Sequence, residues 1–80
     1  LASFSAHKLH GPRGVGALFV KSGVRLRPIL GGGGQERGLR PGTQNVAGVA
    51  GFVQAIEEAY DEINTTSVRL RSMTARLIDR

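Results

Sequence analysis

The sequence predicts an α/β fold made of two short antiparallel strands, a glycine-rich loop and a long amphipathic helix. Two apolar runs of strand length, residues 1–5 and 15–20, lie close together at the front. Four consecutive glycines, Gly31 to Gly34, mark a loop in the middle. From Phe52 onward there is neither Gly nor Pro, and the apolar residues there recur at helical spacing.

Composition sharpens this division. All twelve glycines lie between Gly11 and Gly51, so the front is rich in loops and the back is helical. Residues 1–54 carry seven basic side chains against the single acid Glu36, whereas residues 55–80 carry four basic against five acidic. The positive excess therefore coincides with the glycines, and the front half should attract anions such as phosphate or carboxylate. The chain has no cysteine, hence no disulfide and no Cys/His cluster of zinc spacing. No apolar run approaches the ~18 residues that span a bilayer, and no signal-peptide pattern is present; a cytoplasmic location is expected. A chain of this size buries only about 60% of its unfolded surface and is marginally stable alone. It also opens at Leu1-Ala2 without a methionine, so a piece of a longer protein is expected.

In residues 1–5, Leu1, Ser3 and Ser5 alternate with Ala2 and Phe4, the period of a strand. Residues 15–20, Val-Gly-Ala-Leu-Phe-Val, are continuously apolar, as in a strand covered on both faces. The connection between the two runs is about nine residues, and a parallel crossover needs a dozen or more. The strands are therefore expected to be antiparallel neighbours, joined by a loop carrying His7, Lys8 and the Gly11-Pro12-Arg13-Gly14 turn. Residues 24–30 form a further short extended piece. The four glycines lose much backbone entropy on ordering, which a fold tolerates where dihedrals are unusual or another group comes very close. The helix begins after Pro41 and Gly42, with Thr43 or Asn45 as N-cap. Val46, Val49, Ala50, Val53, Ile56, Tyr60 and Ile63 then share one face, expected to pack in the core. Thr65 and its neighbours lower helix propensity, so the back is one long helix or two with a break there.

The glycine motifs fail the phosphate-cradle tests. Gly33 to Gly38 has P-loop spacing, but Leu39 stands in the lysine position. Gly14 and Gly16 are followed by Phe19 where the dinucleotide fingerprint requires a third glycine. Gly11-Pro12-Arg13-Gly14 fits a GxxG nucleic-acid clamp, a match of only four residues. A covalent role for Lys8 accounts for more. A lysine that forms a Schiff base must lose its proton at some stage, which desolvation and cationic neighbours favour, and His7, His10 and Arg13 are close in sequence. In an extended strand Ser5 and His7 would point to one side and hold an anionic group while Lys8 points elsewhere. A phosphate-bearing aldehyde bound through lysine would use both features.

Two ordered motifs carry a family resemblance. Ser5-x-His7-Lys8-x-x-Gly11-Pro12-x-Gly14-x-Gly16, followed by Gly32-Gly33-Gly34-Gln35-Glu36-x-Gly38-x-Arg40-x-Gly42-Thr43, resembles the cysteine desulfurases, pyridoxal-phosphate enzymes of the class V aminotransferase group. The resemblance runs from Ser3 to about Ile63 and is nearest to the members that feed iron–sulfur cluster assembly. It implies a fragment of a fold-type-I pyridoxal-phosphate transferase large domain over residues 1–63, with residues 64–80 as helix leading toward the small C-terminal domain. It implies that Lys8 binds pyridoxal 5'-phosphate covalently and later moves the substrate's α-proton, and that Ser5 and His7 hydrogen-bond the cofactor phosphate. Thr43 would reach the phosphate in the other subunit of a homodimer, with Glu36 and Arg40 shaping that interface. The implied reaction converts L-cysteine to L-alanine and leaves the sulfur on an enzyme cysteine for acceptor or scaffold proteins.

The chain departs from the family pattern in lacking that cysteine. The family's ring-stacking histidine, pyridinium-pairing aspartate and carboxylate-binding arginine also match no residue here, so the eighty residues alone are expected to be inactive. Two alternatives stay open. Arg40-Pro41-Gly42-Thr43-Gln44-Asn45 also resembles the selenocysteine lyases, which would change the substrate but not Lys8. A small basic nucleic-acid-binding module is the other, on charge and the GxxG; against it, Phe4, Phe19, Phe52 and Tyr60 sit within apolar patterns rather than in an exposed row.

Overall fold

The computed structural model describes residues 1–79. Strand β1 (Ala2–Ser5) pairs antiparallel with β2 (Gly16–Phe19), in the register Ala2 to Phe19, Ser3 to Leu18, Phe4 to Ala17 and Ser5 to Gly16. The short connection allows only this orientation, as expected. It is closed by two backbone hydrogen bonds: the Ala6 N–H donates to the Val15 carbonyl at 3.0 Å, and the Gly11 N–H to the Ala6 carbonyl at 2.9 Å. Gly16 lets the strands meet, because a Cβ there would stand 2.5 Å from the Phe4 carbonyl oxygen.

The helix α1 (Val46–Ile78) is one uninterrupted element of 33 residues that runs straight through Thr65. Asn45 is its N-cap: the side-chain Oδ1 accepts the Gly48 N–H at 3.0 Å. That bond satisfies one of the amides left without a partner at the helix start. At 1.5 Å per residue the helix is about 50 Å long, which sets the longest dimension of the chain, 55 × 28 × 20 Å. The radius of gyration is 17.3 Å, against about 12 Å for a compact domain of this length.

The core is small and lies where the β1–β2 connection meets the first half of α1. Ala6, Phe52 and Ala55 are buried, with Pro41 and Gly48. Gly11 and Pro12 press onto the helix: a Cβ at Gly11 would lie 3.2 Å from the Ala55 Cβ, and one at Gly51 3.0 Å from the Pro12 ring. Small residues on one helix face thus admit the loop.

Two expectations about packing are corrected. The face expected in the core, from Val46 through Val53 and Ile56 to Tyr60 and Ile63, is exposed, with Val46 at 75% and Tyr60 at 77%. The packed face is the adjacent one, Gly48, Phe52 and Ala55, at steps of four and three. The apolar arc of the helix is wider than one hairpin covers, so periodicity alone does not show which part is filled. Likewise β2, expected to be covered on both faces, is exposed along its length. The segment 24–30 forms no strand among the described residues; Pro28 has no N–H to give a ladder.

Candidate functional site

The lysine lies immediately after β1, on a single 3-10 turn, Ala6–Leu9, that His10 ends in the left-handed conformation with φ 64°. The strand does not stay extended past Ser5, which corrects the placement of His7 and Lys8 on opposite sides of a strand. A 3-10 turn instead sets successive side chains about 120° apart. Ala6 turns inward and is fully buried, Leu9 is half-buried, and His7 and Lys8 face outward. Ala6 therefore anchors the turn on the helix and presents its two neighbours to solvent.

Lys8, Leu9 and His10 line one wall of an open groove of about 780 Å³. The other wall is α1 from Ala59 onward, including Glu62, Ile63, Thr66 and Leu70. The Ser5 hydroxyl, the His7 ring and the Lys8 amine make no side-chain hydrogen bond among the described residues. A hydroxyl, an imidazole and a primary amine within four residues, all uncommitted, form a donor set that fits a phosphate-bearing aldehyde. The described residues give Lys8 no cover, so the desolvation expected to assist it is not supplied by them.

Thr43 stands apart from this group. It is exposed on the loop that enters α1, whereas the lysine turn faces the groove beside Ala59. Between Val46 and Ala59 the helix rises about 20 Å. One copy of the chain does not bring Thr43 and Lys8 together. Of the other residues expected near Thr43, Glu36 is exposed with φ 50°, and the Arg40 guanidinium donates to the Pro41 carbonyl at 2.5 Å.

The glycine run behaves as expected at two of its four positions. A Cβ at Gly32 would lie 2.7 Å from the Pro41 Cβ, and one at Gly33 would lie 2.5 Å from Gln35 Oε1. Gly31 and Gly34 have open space around them. Gln35 had no expected role of its own. In the structure its side-chain oxygen accepts the Gly42 N–H at 3.1 Å. The only sequence signal was an amide side chain directly after the glycines.

Aromatic exposure also differs from expectation. Phe52 is buried, but Phe4, Phe19 and Tyr60 are exposed. Phe4 and Phe19 lie diagonally on one face of the two-stranded ribbon, and Tyr60 is on the helix, so they form no continuous row. The GxxG at Gly11 to Gly14 lies between strands rather than helices.

The chain thus runs through a two-stranded hairpin that carries the lysine turn, a glycine loop and one long helix, in that order. The aminotransferase class-V family model matches residues 1–79, and the chain belongs to that family. Its relatives are named cysteine desulfurases. It is 51% identical over 77 residues to the cysteine desulfurase of Gluconacetobacter diazotrophicus, covering 96% of this chain and 19% of the relative. It is 47% identical over 78 residues to cysteine desulfurase IscS of Clostridium botulinum, covering 98% and 20%. Against cysteine desulfurase IscS 1 of Archaeoglobus fulgidus the identity is 47% over 79 residues, covering 99% and 21%. The solved structure of a NifS-like protein superposes with a TM-score of 0.85 at 48% identity, covering 96% of this chain and 21% of that one. The chain thus spans about a fifth of the length of the relatives it matches, and the structural likeness extends over both strands, the loop and the helix.

Proposed function

We propose that these residues are the lysine-bearing segment of a cysteine desulfurase that uses pyridoxal 5'-phosphate. The observation that carries the reading is the turn itself: Lys8 faces an open groove, with the uncommitted Ser5 and His7 beside it. Identities of 47–51% to proteins named for that activity support it. When bound, the cofactor supplies an electron sink for the substrate's α-carbon. Lys8 would hold the cofactor covalently through its amine and would carry the substrate's α-proton. Ser5 and His7 hold the phosphate, with charge-assisted bonds stronger than neutral ones.

In this reading the sulfur of L-cysteine passes to an enzyme thiolate, giving a persulfide and leaving L-alanine. These eighty residues contain no cysteine, so the thiolate lies elsewhere and the segment alone is inactive. Thr43, too far along the helix to serve its own Lys8, completes the site of a second copy in a homodimer. Residues 1–63 belong to the large domain, and the helix beyond leads toward a smaller one. The exposed stripe from Val46 to Ile63 and the two bare faces of the hairpin are then surfaces that the rest of the protein covers. No described helix is long and apolar enough to cross a membrane, and we place the protein in the cytoplasm. The persulfide sulfur goes to acceptor or scaffold proteins for iron–sulfur clusters or other sulfur transfer.

The test is alanine formation from L-cysteine by the full-length protein. Lys8→Ala should lower the rate by at least the 10²–10⁴-fold typical of a lost general base, roughly. Alanine formed only from L-selenocysteine would replace the substrate, and undiminished activity in Lys8→Ala would overturn the role of Lys8.

A further inference from the structure

The geometry points to Gln35 as a positioning residue: its side chain latches the neck of a closed loop, residues 32–42, and so fixes where Thr43 is presented. The inference rests on the proposed role of Thr43 and adds to it a residue whose part is indirect. The two ends of the loop meet. Gly32 approaches buried Pro41 so closely that a Cβ would lie 2.7 Å from the proline Cβ. Next to this contact, Gln35 Oε1 accepts the Gly42 N–H across seven residues at 3.1 Å. Gly33 makes room for the latch, since a Cβ there would lie 2.5 Å from the same oxygen. Compact surface loops with touching ends, packed by their own side chains, are frequently functional.

What leaves the neck is Thr43, the residue directly after the latched amide, and then Asn45, the helix cap. Gly42 itself has φ 117°, a conformation that glycine adopts freely and that leaves the chain direction loosely set by local preference. The Gln35 bond supplies the constraint that glycine lacks. Inside the loop, Glu36 and Arg37 adopt left-handed dihedrals, φ 50° and 58°, which non-glycine residues hold only where the surroundings enforce them. The Gly38 N–H to Gly34 carbonyl and Leu39 N–H to Glu36 carbonyl bonds, both 3.1 Å, hold that interior. The loop interior and its neck are therefore separately tied, and among the described residues Gln35 alone joins the interior to Gly42 by a side chain.

The experiment uses the full-length holoprotein and five variants: three at the latch, Thr43→Val, and Thr43→Val combined with Gln35→Leu. Gln35→Leu removes the acceptor at similar size, and Gln35→Glu keeps an oxygen in place. Gly33→Ala displaces the latch without touching Gln35. Two quantities are read: hydrogen exchange at the Gly42 amide, and affinity for pyridoxal 5'-phosphate beside that for pyridoxal, which lacks the phosphate. In Gln35→Leu and Gly33→Ala, Gly42 should exchange about tenfold faster, and the phosphorylated cofactor should bind roughly fivefold more weakly, on the scale of one lost hydrogen bond. Pyridoxal affinity should not change, and Gln35→Glu should resemble the wild type. Adding Gln35→Leu to Thr43→Val should cause no further loss of affinity. Unchanged Gly42 exchange in Gln35→Leu, equal weakening of pyridoxal, or a full additive loss in the Thr43→Val background would each overturn the inference. If Thr43→Val alone leaves cofactor affinity intact, the assignment of Thr43 fails, while the Gly42 exchange still decides the latch.

Discussion

Gly11→Ala tests how the lysine turn is seated. A Cβ at Gly11 would stand 3.0 Å from the Ala6 carbonyl oxygen, 3.1 Å from the Ala6 Cβ and 3.2 Å from the Ala55 Cβ. None of these neighbours is the far end of a flexible side chain. Ala6 is fully buried, and its carbonyl already accepts the Gly11 N–H at 2.9 Å. Backbone must therefore move, and overpacking of this kind costs about 1–3 kcal/mol. Alanine returns about 0.4–1 kcal/mol by stiffening the unfolded chain, so the net loss should be about 1–2 kcal/mol. Gly34→Ala is the matched control: its φ of −91° suits any residue and nothing lies within 4 Å. That variant should be as stable as the wild type or slightly more so. Equilibrium urea unfolding of the full-length protein ranks the three. A Gly11→Ala protein as stable as Gly34→Ala would show that the turn is not wedged between Ala6 and Ala55, and the account of how Lys8 is placed would fall.

Other substitutions probe the remaining contacts. Asn45→Ala should cost about 0.5–2 kcal/mol through loss of the N-cap, and Asn45→Asp should restore most of it in the same unfolding assay. Phe52→Ala should cost about 3–5 kcal/mol, the range for a large aromatic removed from a core, because Phe52 is the largest of the buried core side chains. Gly16→Ala should disrupt the hairpin, since its Cβ would meet the Phe4 carbonyl oxygen at 2.5 Å; faster amide exchange across β1 and β2 would report it.

The architecture was legible because its signals are local. About nine residues between the apolar runs, a glycine cluster and a helical period from Val46 each exclude most alternatives without knowledge of packing, and the break left open near Thr65 is absent from α1. The N-cap was narrowed to two residues, and the structure selects Asn45 over Thr43. The packed helix face was not legible. Val46, Val53 and Tyr60 are as apolar as any core set, but the neighbour that reaches the helix is a glycine–proline loop, which comes closest at the small residues Gly51 and Ala55. Gly48, Gly51 and Ala55 carry little hydrophobic signal, so a periodicity count passes over them. The lysine turn shows the converse. Ser5, His7 and Lys8 were singled out by residue type and by the family resemblance, while the 3-10 turn that sends His7 and Lys8 outward depends on burying Ala6 against the distant helix. Gln35 was missed for the same reason: its bond to Gly42 exists only once the loop has closed.

The central claim is that Lys8 holds the cofactor. Borohydride reduction of the purified full-length protein, followed by proteolysis and mass spectrometry, should place a pyridoxyl adduct on the peptide carrying Ser5, His7 and Lys8, at the Lys8 amine. An adduct on Lys21 or on any lysine outside this segment, or reduction that leaves no adduct at all, would contradict it.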